Sequence, residues 1–325
     1  MKIFNFNESS KSREIFGEFY YLVEKFTVAA PGIFREGTPR PVKGYKAPPQ
    51  GVREANCELI SYADDFKMLA PRNNCLKTQE DLAQVVKWGK ENRQIVNGKK
   101  SVVVRFGDSI NASCYEIDGV PLEQTEKTKD LGILIDNKLN FKGHMHEIIL
   151  KAYSLINRIL SFSFDDPSFR LKLYTTYVRP KLEYACALWD PTQQLYISKF
   201  ENVQKYFLKK TFRGVAISDD KNIPIFWLEL VYPPCVHVEY TWGYLLFLML
   251  HARIDLPLPV DVAPSKTRGP EQKIRIPHYN TRVGKASFFL KFGKYWNALP
   301  GEVGNVNSLA VFKRKLREVD LLSIV

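Results

Sequence analysis

The sequence has no long hydrophobic run and little cysteine. Its longest strongly apolar run, Trp242 to Leu250, is too short to cross a bilayer, which takes about 20 residues, so we interpret it as a buried helix. The N-terminal residues include no apolar stretch of signal-peptide length. The five cysteines are scattered and none form a C-x-x-C pair, which argues against a disulfide framework and a zinc ribbon. We therefore expect an intracellular protein, cytoplasmic or nuclear or both, that is not secreted and has no membrane partner.

Several motifs that define common enzyme classes are also absent. The chain contains no G-x-G-x-x-G, no G-x-x-x-x-G-K-[ST] and no G-x-S-x-G, and it shows no internal repeat of fixed period. His144 and His146 are two residues apart, a spacing that points side chains in different directions on a helix. We therefore predict a structural role for His144 rather than metal binding.

Acidic residues are fewer than basic ones. The chain has 47 Lys and Arg against 35 Asp and Glu, which gives a net charge of +12 and a pI near 9.3. This surplus favours a polyanionic partner, either nucleic acid or an anionic membrane surface, while a charge that only aids solubility is equally open. The 325 residues, 45% of them hydrophobic, predict about two globular domains.

The sequence pattern predicts an α+β fold. Residues 1–52 combine a helix at 9–27 with a Pro- and Gly-rich linker at 30–51, and we expect them to attach weakly to the rest. Strand signals concentrate in residues 53–137, whereas helical periodicity dominates 138–215 and 216–325. The other predicted elements are a helix at 79–95, strands at 101–106, 115–117 and 131–135, helices at 141–161, 167–190, 194–213, 236–254 and 308–322, and a loop at 255–280.

Tyr62-Ala63-Asp64-Asp65 is the sharpest local feature. Apolar runs on both sides of it predict a β-hairpin with two adjacent carboxylates at the tip. Such carboxylates repel each other unless a cation is near, and Mg²⁺ is often held by one or two carboxylates together with substrate phosphates. We expect one aspartate to coordinate and the other to support it. The alternative is an ordinary solvated turn.

The residues after this hairpin follow a recognisable order. A helix with Val86-Lys87-Trp88 leads to Asn97-Gly98-Lys99-Lys100-Ser101 and a strand, then to Asp130-Leu131-Gly132 before a basic helix. Tyr177-Val178-Arg179-Pro180 and Trp296-Asn297 follow further on. In this order and spacing, residues 58–325 resemble the reverse transcriptases of non-long-terminal-repeat retrotransposons.

The resemblance implies a partial polymerase palm, made of a small antiparallel sheet plus helices, followed by a mainly helical thumb and C-terminal region. It implies an RNA-directed DNA polymerase that uses Mg²⁺, an RNA template and a DNA primer. Asp64 and Asp65 resemble its catalytic, metal-binding carboxylates, and Lys100 resembles the lysine proposed to protonate pyrophosphate. Leu131 and Gly132 resemble the primer grip. Gln50 and Tyr62 resemble parts of its nucleotide pocket.

The sequence departs from the family pattern before the hairpin. The family needs an earlier strand with another aspartate, but no aspartate precedes Asp64 here. Pro49-Gln50-Gly51 resembles a family motif that normally lies much further upstream, so either a segment has been deleted or the tripeptide is accidental. Without the bridging carboxylate, metal binding is doubtful and catalytic charge compensation is lost. We predict a truncated protein with little or no autonomous polymerase activity.

Basic residues interleave with aromatic ones in a later predicted helix. The candidates for nucleic-acid contacts are Lys205, Lys209, Lys210 and Arg213. They could grip phosphates while the aromatic residues stack on bases. The alternative places the aromatic residues in the core and leaves the lysines solvated. Two further functions thus stay open: a non-catalytic RNA- or DNA-binding remnant, and an interaction protein with an accidental acidic motif.

Overall fold

The structure is a computed structural model that describes most of the chain in two compact units, Met1–His144 and Met145–Val325. The described residues are 1–6, 57–62, 65–71, 74–106, 115–163, 166–189, 193–212, 243, 246–247, 250–251, 261–265, 269–276, 278 and 288–319. The predicted helix at 9–27 and the linker at 30–51 lie outside them. No helix among these residues is long and apolar enough to cross a membrane.

A five-stranded sheet forms the centre of the first unit, with the strand order β2-β3-β1-β4-β7. The strands are β1 (Lys2–Phe6), β2 (Glu58–Tyr62), β3 (Asp65–Pro71), β4 (Val102–Arg105) and β7 (Glu123–Thr125). Strands β2 and β3 are an antiparallel hairpin, as predicted, whereas β1 is parallel to both β3 and β4. The sheet is therefore mixed rather than purely antiparallel.

Strand β1 was not anticipated from the sequence. The sequence analysis left it in a weakly attached N-terminal segment, but residues 2–6 lie in the middle of the sheet. The side chains of Ile3, Phe4 and Phe6 are fully buried, and the Phe6 ring stacks on Phe106 with centroids 4.5 Å apart. Ile3 and Phe4 are adjacent and therefore lie on opposite faces of the sheet, so β1 is buried on both faces.

Helix α1 (Cys75–Glu91) packs on one face of this sheet. Its predicted inward residues are all buried, namely Leu82, Val85, Val86 and Trp88. The helix begins four residues earlier than predicted because the Asn74 side chain caps it by accepting a hydrogen bond from the Lys77 amide. Ile3, Met68 and Val103 belong to the same core.

Short hairpins complete the first unit. They are built from β5 (Glu116–Ile117) with β6 (Val120–Pro121), and from β8 (Lys127–Asp130) with β9 (Ile133–Asp136). The predicted turn at Asp118-Gly119 is confirmed. Strand β9 begins two residues later than predicted because Leu131 and Gly132 form the β8–β9 turn, with φ angles of 44° and 85°.

Helices dominate the second unit, and α2 begins just before it. They are α2 (Lys142–Ser161), α3 (Pro167–Leu173), α4 (Arg179–Glu183), α5 (Cys186–Trp189), α6 (Gln194–Thr211), α7 (Phe288–Ala298), α8 (Gly301–Gly304) and α9 (Leu309–Arg317). The single helix predicted at 167–190 is instead α3, a π-helical turn at Tyr174–Val178, α4 and α5. Of the predicted helix at 236–254, residues 243, 246–247 and 250–251 are described; all of them are helical except His251, which is in a turn.

Stacked aromatic rings form the core of this second unit. Phe247 stacks on Phe312 at 4.5 Å, and Trp189 stacks on Phe200 at 5.2 Å. The predicted loop at 255–280 was partly wrong, since β10 (Val262–Pro264) and β11 (Gln272–Ile274) form an antiparallel hairpin there. As a whole the described fold is mixed α/β, with helices and small sheets, which is compatible with the predicted α+β class.

Candidate functional site

The acidic hairpin forms as predicted. Tyr62 ends β2 and pairs directly with Asp65. Asp65 is therefore the first residue of β3 rather than part of the tip, and its side chain is 46% exposed. Asp64 and the Tyr62 side chain lie outside the described residues, as does Gln50.

Asp65 belongs to a group of four charged side chains on the sheet face opposite α1. Side chains alternate along a strand, and because Ile3 and Met68 face the α1 core, Lys2 and Lys67 point to the other face. Asp65, two residues before Lys67, shares that face. We call Lys2, Asp65, Lys67 and Asp130 the ion cluster.

Asp130 is the centre of the ion cluster. It is the last residue of β8, and its side chain is only 1% exposed. Its Oδ1 accepts a hydrogen bond from Lys2 Nζ at 2.7 Å, and its Oδ2 lies 3.2 Å from Lys67 Nζ. Lys2 Nζ also lies 3.9 Å from Asp65 Oδ2. Two lysines thus hold one buried carboxylate, and one of them also reaches the hairpin aspartate.

The sheet register explains why Asp130 is needed. Lys2 and Lys67 are direct neighbours on the parallel strands β1 and β3, and like charges placed side by side destabilise a sheet. Lys67 is also 1% exposed, and this burial lowers its pKa, an effect that the nearby Asp130 carboxylate partly offsets. The Asp130 carboxylate therefore offsets the repulsion between the buried Lys67 ammonium group and the partly buried Lys2 ammonium group.

The described residues of the ion cluster do not fit a divalent metal ion. Two ammonium groups balance two carboxylates, so the cluster carries no net charge, and each oxygen of Asp130 already faces a lysine. Among the residues that the structure describes, no group of three or more His, Cys, Asp or Glu side chains could hold a metal. Hard cations such as Mg²⁺ need oxygen ligands with uncompensated negative charge.

Sequence reasoning missed Lys2, Lys67 and Asp130. Lys67 did give a signal, because a lysine inside the apolar run Phe66–Leu69 requires a buried counter-charge if the run is a central strand. Lys2 gave none that could be used without knowing that β1 enters the sheet. Asp130 stood directly before the Leu131-Gly132 pair, but its burial depends on the tertiary structure.

The candidate primer grip lies next to Asp130. Leu131 is half-buried and Gly132 is exposed at the β8–β9 turn. Both residues have positive φ angles, which favours glycine at the second position. Because Asp130 is fixed by lysines from β1 and β3, the ion cluster ties this turn to the same sheet that carries the acidic hairpin.

One histidine and one aspartate near this turn, His144 and Asp136, have structural roles. His144 is buried, and its Nδ1 accepts a hydrogen bond from the Leu134 amide at 3.3 Å, in line with the predicted structural role. Asp136 accepts hydrogen bonds from the Lys138 amide at 2.9 Å and the Phe141 amide at 3.1 Å. These bonds shape the connection that leads from β9 into α2.

Lys100 is the last residue of a 3-10 turn, Gly98–Lys100, that precedes β4. Its side chain is exposed, and its amide donates a hydrogen bond to the Asn97 carbonyl at 3.1 Å. The turn therefore presents two adjacent lysines, Lys99 and Lys100, at the surface.

The predicted basic helix is α6. Lys205 and Lys209 are exposed on one side, whereas Lys210 is half-buried with its Nζ 5.9 Å from the centroid of the Tyr206 ring. Lys205 Nζ is also 3.7 Å from Glu201 Oε2. Phe207 is fully buried and stacks on a core tyrosine, so the core interpretation holds for that aromatic residue. Arg213 lies outside the described residues.

Comparison with known proteins shows a distant relationship to reverse transcriptases of mobile elements. The RNA-directed DNA polymerase from mobile element jockey of Drosophila funebris is 25% identical over 173 residues, which are 49% of this chain and 18% of that polymerase. The probable RNA-directed DNA polymerase from transposon BS of Drosophila melanogaster is 23% identical over 183 residues, 51% of this chain and 20% of that polymerase.

A protein of Caenorhabditis elegans described as uncharacterized is 31% identical over 94 residues, 29% of this chain and 48% of that protein. The chain therefore aligns with about half of the worm protein and about a fifth of each polymerase. No protein-family model matches the chain, and no solved structure matches it. The relationship supports a reverse-transcriptase-like protein.

Proposed function

We propose that this chain is a retrotransposon-derived, reverse-transcriptase-like protein with little or no polymerase activity of its own. The distant relationship to RNA-directed DNA polymerases supports the first part. The observation that carries the second part is the identity of the side chain next to the hairpin. Strand β1, the neighbour of β3, brings Lys2 rather than a carboxylate to Asp65.

Two-metal phosphoryl transfer explains why that side chain matters. The reaction needs carboxylates that bridge two ions about 3.5–4 Å apart. The resemblance to reverse transcriptases implies that one of these carboxylates lies on a separate, earlier strand. Lys2 supplies positive charge at this position. The other nearby carboxylate, Asp130, is already neutralised by lysines. In this proposal the hairpin keeps the ancestral geometry but not the ancestral metal chemistry.

The remaining site residues are proposed by resemblance. Asp64 and Asp65 correspond to the metal-binding pair, Lys100 to the acid for pyrophosphate, and Leu131 with Gly132 to the primer grip. Gln50 and Tyr62 correspond to nucleotide-pocket residues. In the ancestral reaction Mg²⁺ would compensate phosphate charge while an RNA template and a DNA primer occupy the palm. We propose that the palm comprises residues 53–137, followed by a thumb-like region at 138–215.

A second candidate function is non-catalytic binding of RNA or DNA. The net charge of +12 and the exposed lysines on α6 favour it. Lys205 and Lys209 are one helical turn apart and point to the same side, where they could contact successive phosphates. Binding of this kind needs no metal and would survive the loss of catalysis.

Primer extension tests the proposed function. The whole chain is incubated with a primed RNA template, deoxynucleotides and Mg²⁺ or Mn²⁺, beside Asp64→Ala and the matched exposed control Asp118→Ala. An active reverse transcriptase in parallel shows that the substrate is sound. We expect no extension by any form of this protein. Extension by the unmodified chain and by Asp118→Ala, but not by Asp64→Ala, would show that the site is a working polymerase centre.

A further inference from the structure

Lys2 is the member of the ion cluster that contacts both carboxylates. Its Nζ lies 2.7 Å from Asp130 Oδ1 and 3.9 Å from Asp65 Oδ2. The next residues of β1, Ile3 and Phe4, are fully buried and paired with strands on both sides, so the sheet fixes the backbone at Lys2, and the hydrogen bond to Asp130 orients its ammonium group. A cation held rigidly between two carboxylates performs the charge compensation that a bound metal ion would otherwise provide.

We infer that Lys2 is the resident cation of the Asp65–Asp130 carboxylate pair and that it excludes divalent ions from Asp65. The charges of the ion cluster support this directly, since Lys2 and Lys67 balance Asp65 and Asp130. A divalent ion at Asp65 would meet a like charge about 4 Å from its ligand, and that repulsion is strong near a protein surface.

The inference rests on the same Lys2–Asp65 contact as the proposed function, but it concerns ion occupancy, which is measured without any primer. It differs from a simple stabilising role of Lys2. If Lys2 only held β1 in the sheet, its replacement would change stability without changing the affinity of Asp65 for metal ions. If Lys2 occupies a cation position, its removal leaves the ion cluster with one net negative charge and opens Asp65 to a divalent ion.

Mn²⁺ binding to the whole chain separates these possibilities. Electron paramagnetic resonance of the free aqueous ion measures binding without any enzymatic assay. Lys2→Met keeps the length and apolar stem of the side chain but removes its charge. We expect the Mn²⁺ association constant to rise at least tenfold in Lys2→Met relative to the unmodified chain. Adding Asp65→Asn to Lys2→Met should reverse the gain.

Two controls define the result. Lys2→Arg keeps the positive charge and should bind Mn²⁺ as weakly as the unmodified chain. Lys77→Met removes an exposed lysine on α1 and should leave binding unchanged. Circular dichroism verifies that each variant is folded.

Two outcomes overturn the inference. One is Mn²⁺ binding in Lys2→Met that is no tighter than in the unmodified chain. The other, which does not require Lys2→Met to fold, is binding by the unmodified chain that Asp65→Asn removes. Both outcomes are measured by Mn²⁺ binding and not by primer extension, so a failure of the inference can be distinguished from a failure of the proposed function.

Discussion

Replacement of Asp130 by asparagine should strongly destabilise the central sheet. Asparagine keeps nearly the same shape but removes the charge that faces Lys2 Nζ at 2.7 Å and Lys67 Nζ at 3.2 Å. Lys67 is 1% exposed, so its ammonium group cannot turn to water, whereas Lys2 at 15% exposure keeps some access to water and to Asp65. The variant therefore removes the carboxylate that lies 3.2 Å from a buried cation.

The expected magnitude follows from the burial of the pair. Removing one partner of a buried ion pair destabilises a protein by about 3–5 kcal/mol, because the remaining charge is uncompensated. The exposed pair of Lys90 with Asp118, each 53% exposed, gives a matched comparison. Asp118→Asn should change stability by less than about 1 kcal/mol, since water screens both groups. The same chemical change should thus have very different effects at the two positions.

Hydrogen exchange measured by mass spectrometry gives a local readout. Peptides that cover β1 and β3 should exchange more than about a hundredfold faster in Asp130→Asn, since each 1.4 kcal/mol corresponds to a factor of ten. Peptides from α6 serve as the internal reference. The double variant Lys67→Met with Asp130→Leu replaces the pair by apolar groups and should restore protection to within about tenfold. A change below tenfold in Asp130→Asn would refute the argument that Asp130 neutralises a buried lysine.

Two further predictions concern the second unit. The variant Lys205→Gln with Lys209→Gln should lower the slope of log affinity against log salt for single-stranded RNA by about 1.4, because two phosphate contacts are lost. The control variant Lys77→Gln with Lys87→Gln on α1 should leave this slope unchanged. Salt-independent binding, or an equal change of slope in both variants, would contradict contacts through α6. Burial raises the pKa of the Tyr174 hydroxyl. Above about pH 10 the unfolded chain therefore loses the hydroxyl proton while the folded chain keeps it, and the free energy of unfolding falls by about 1.4 kcal/mol per pH unit. Urea unfolding of Tyr174→Phe at pH 9 to 11 should show a smaller fall in the free energy of unfolding with pH than the unmodified chain. An unchanged pH dependence would show that the hydroxyl ionises equally in the folded and unfolded states.

Local patterns were enough to predict the elements whose neighbours in sequence are also their neighbours in space. The β2–β3 hairpin and α1 fall in this class, because alternation around the acidic residues and helical spacing of Leu82, Val85 and Val86 are readable in a short window. The same holds for α2 and α6. Only the ends moved, as at Asn74, where a side-chain cap decides the first turn.

The pairing of strands that are distant in sequence could not be predicted from the sequence. Strand β1 joins β3 across more than sixty positions, in the register Lys2 to Lys67, and nothing in residues 2–6 specifies that partner. The π-helical turn at Tyr174–Val178 and the β10–β11 hairpin likewise depend on packing that a local pattern does not encode. Propensity is a weak guide wherever tertiary contacts decide.

The candidate site, too, could be predicted only in part from the local sequence. Its carboxylate motif was visible in the sequence because Asp64 and Asp65 are adjacent, and the absence of an earlier aspartate could be counted. The contact of Asp65 with Lys2 could not be predicted from the local sequence, because the two residues are brought together by the pairing of β1 with β3. A missing carboxylate alone would leave the hairpin with unbalanced negative charge. Lys2 Nζ, 3.9 Å from Asp65 Oδ2, supplies a positive charge there, so under the proposed function the hairpin carboxylate faces a cation rather than a further metal ligand.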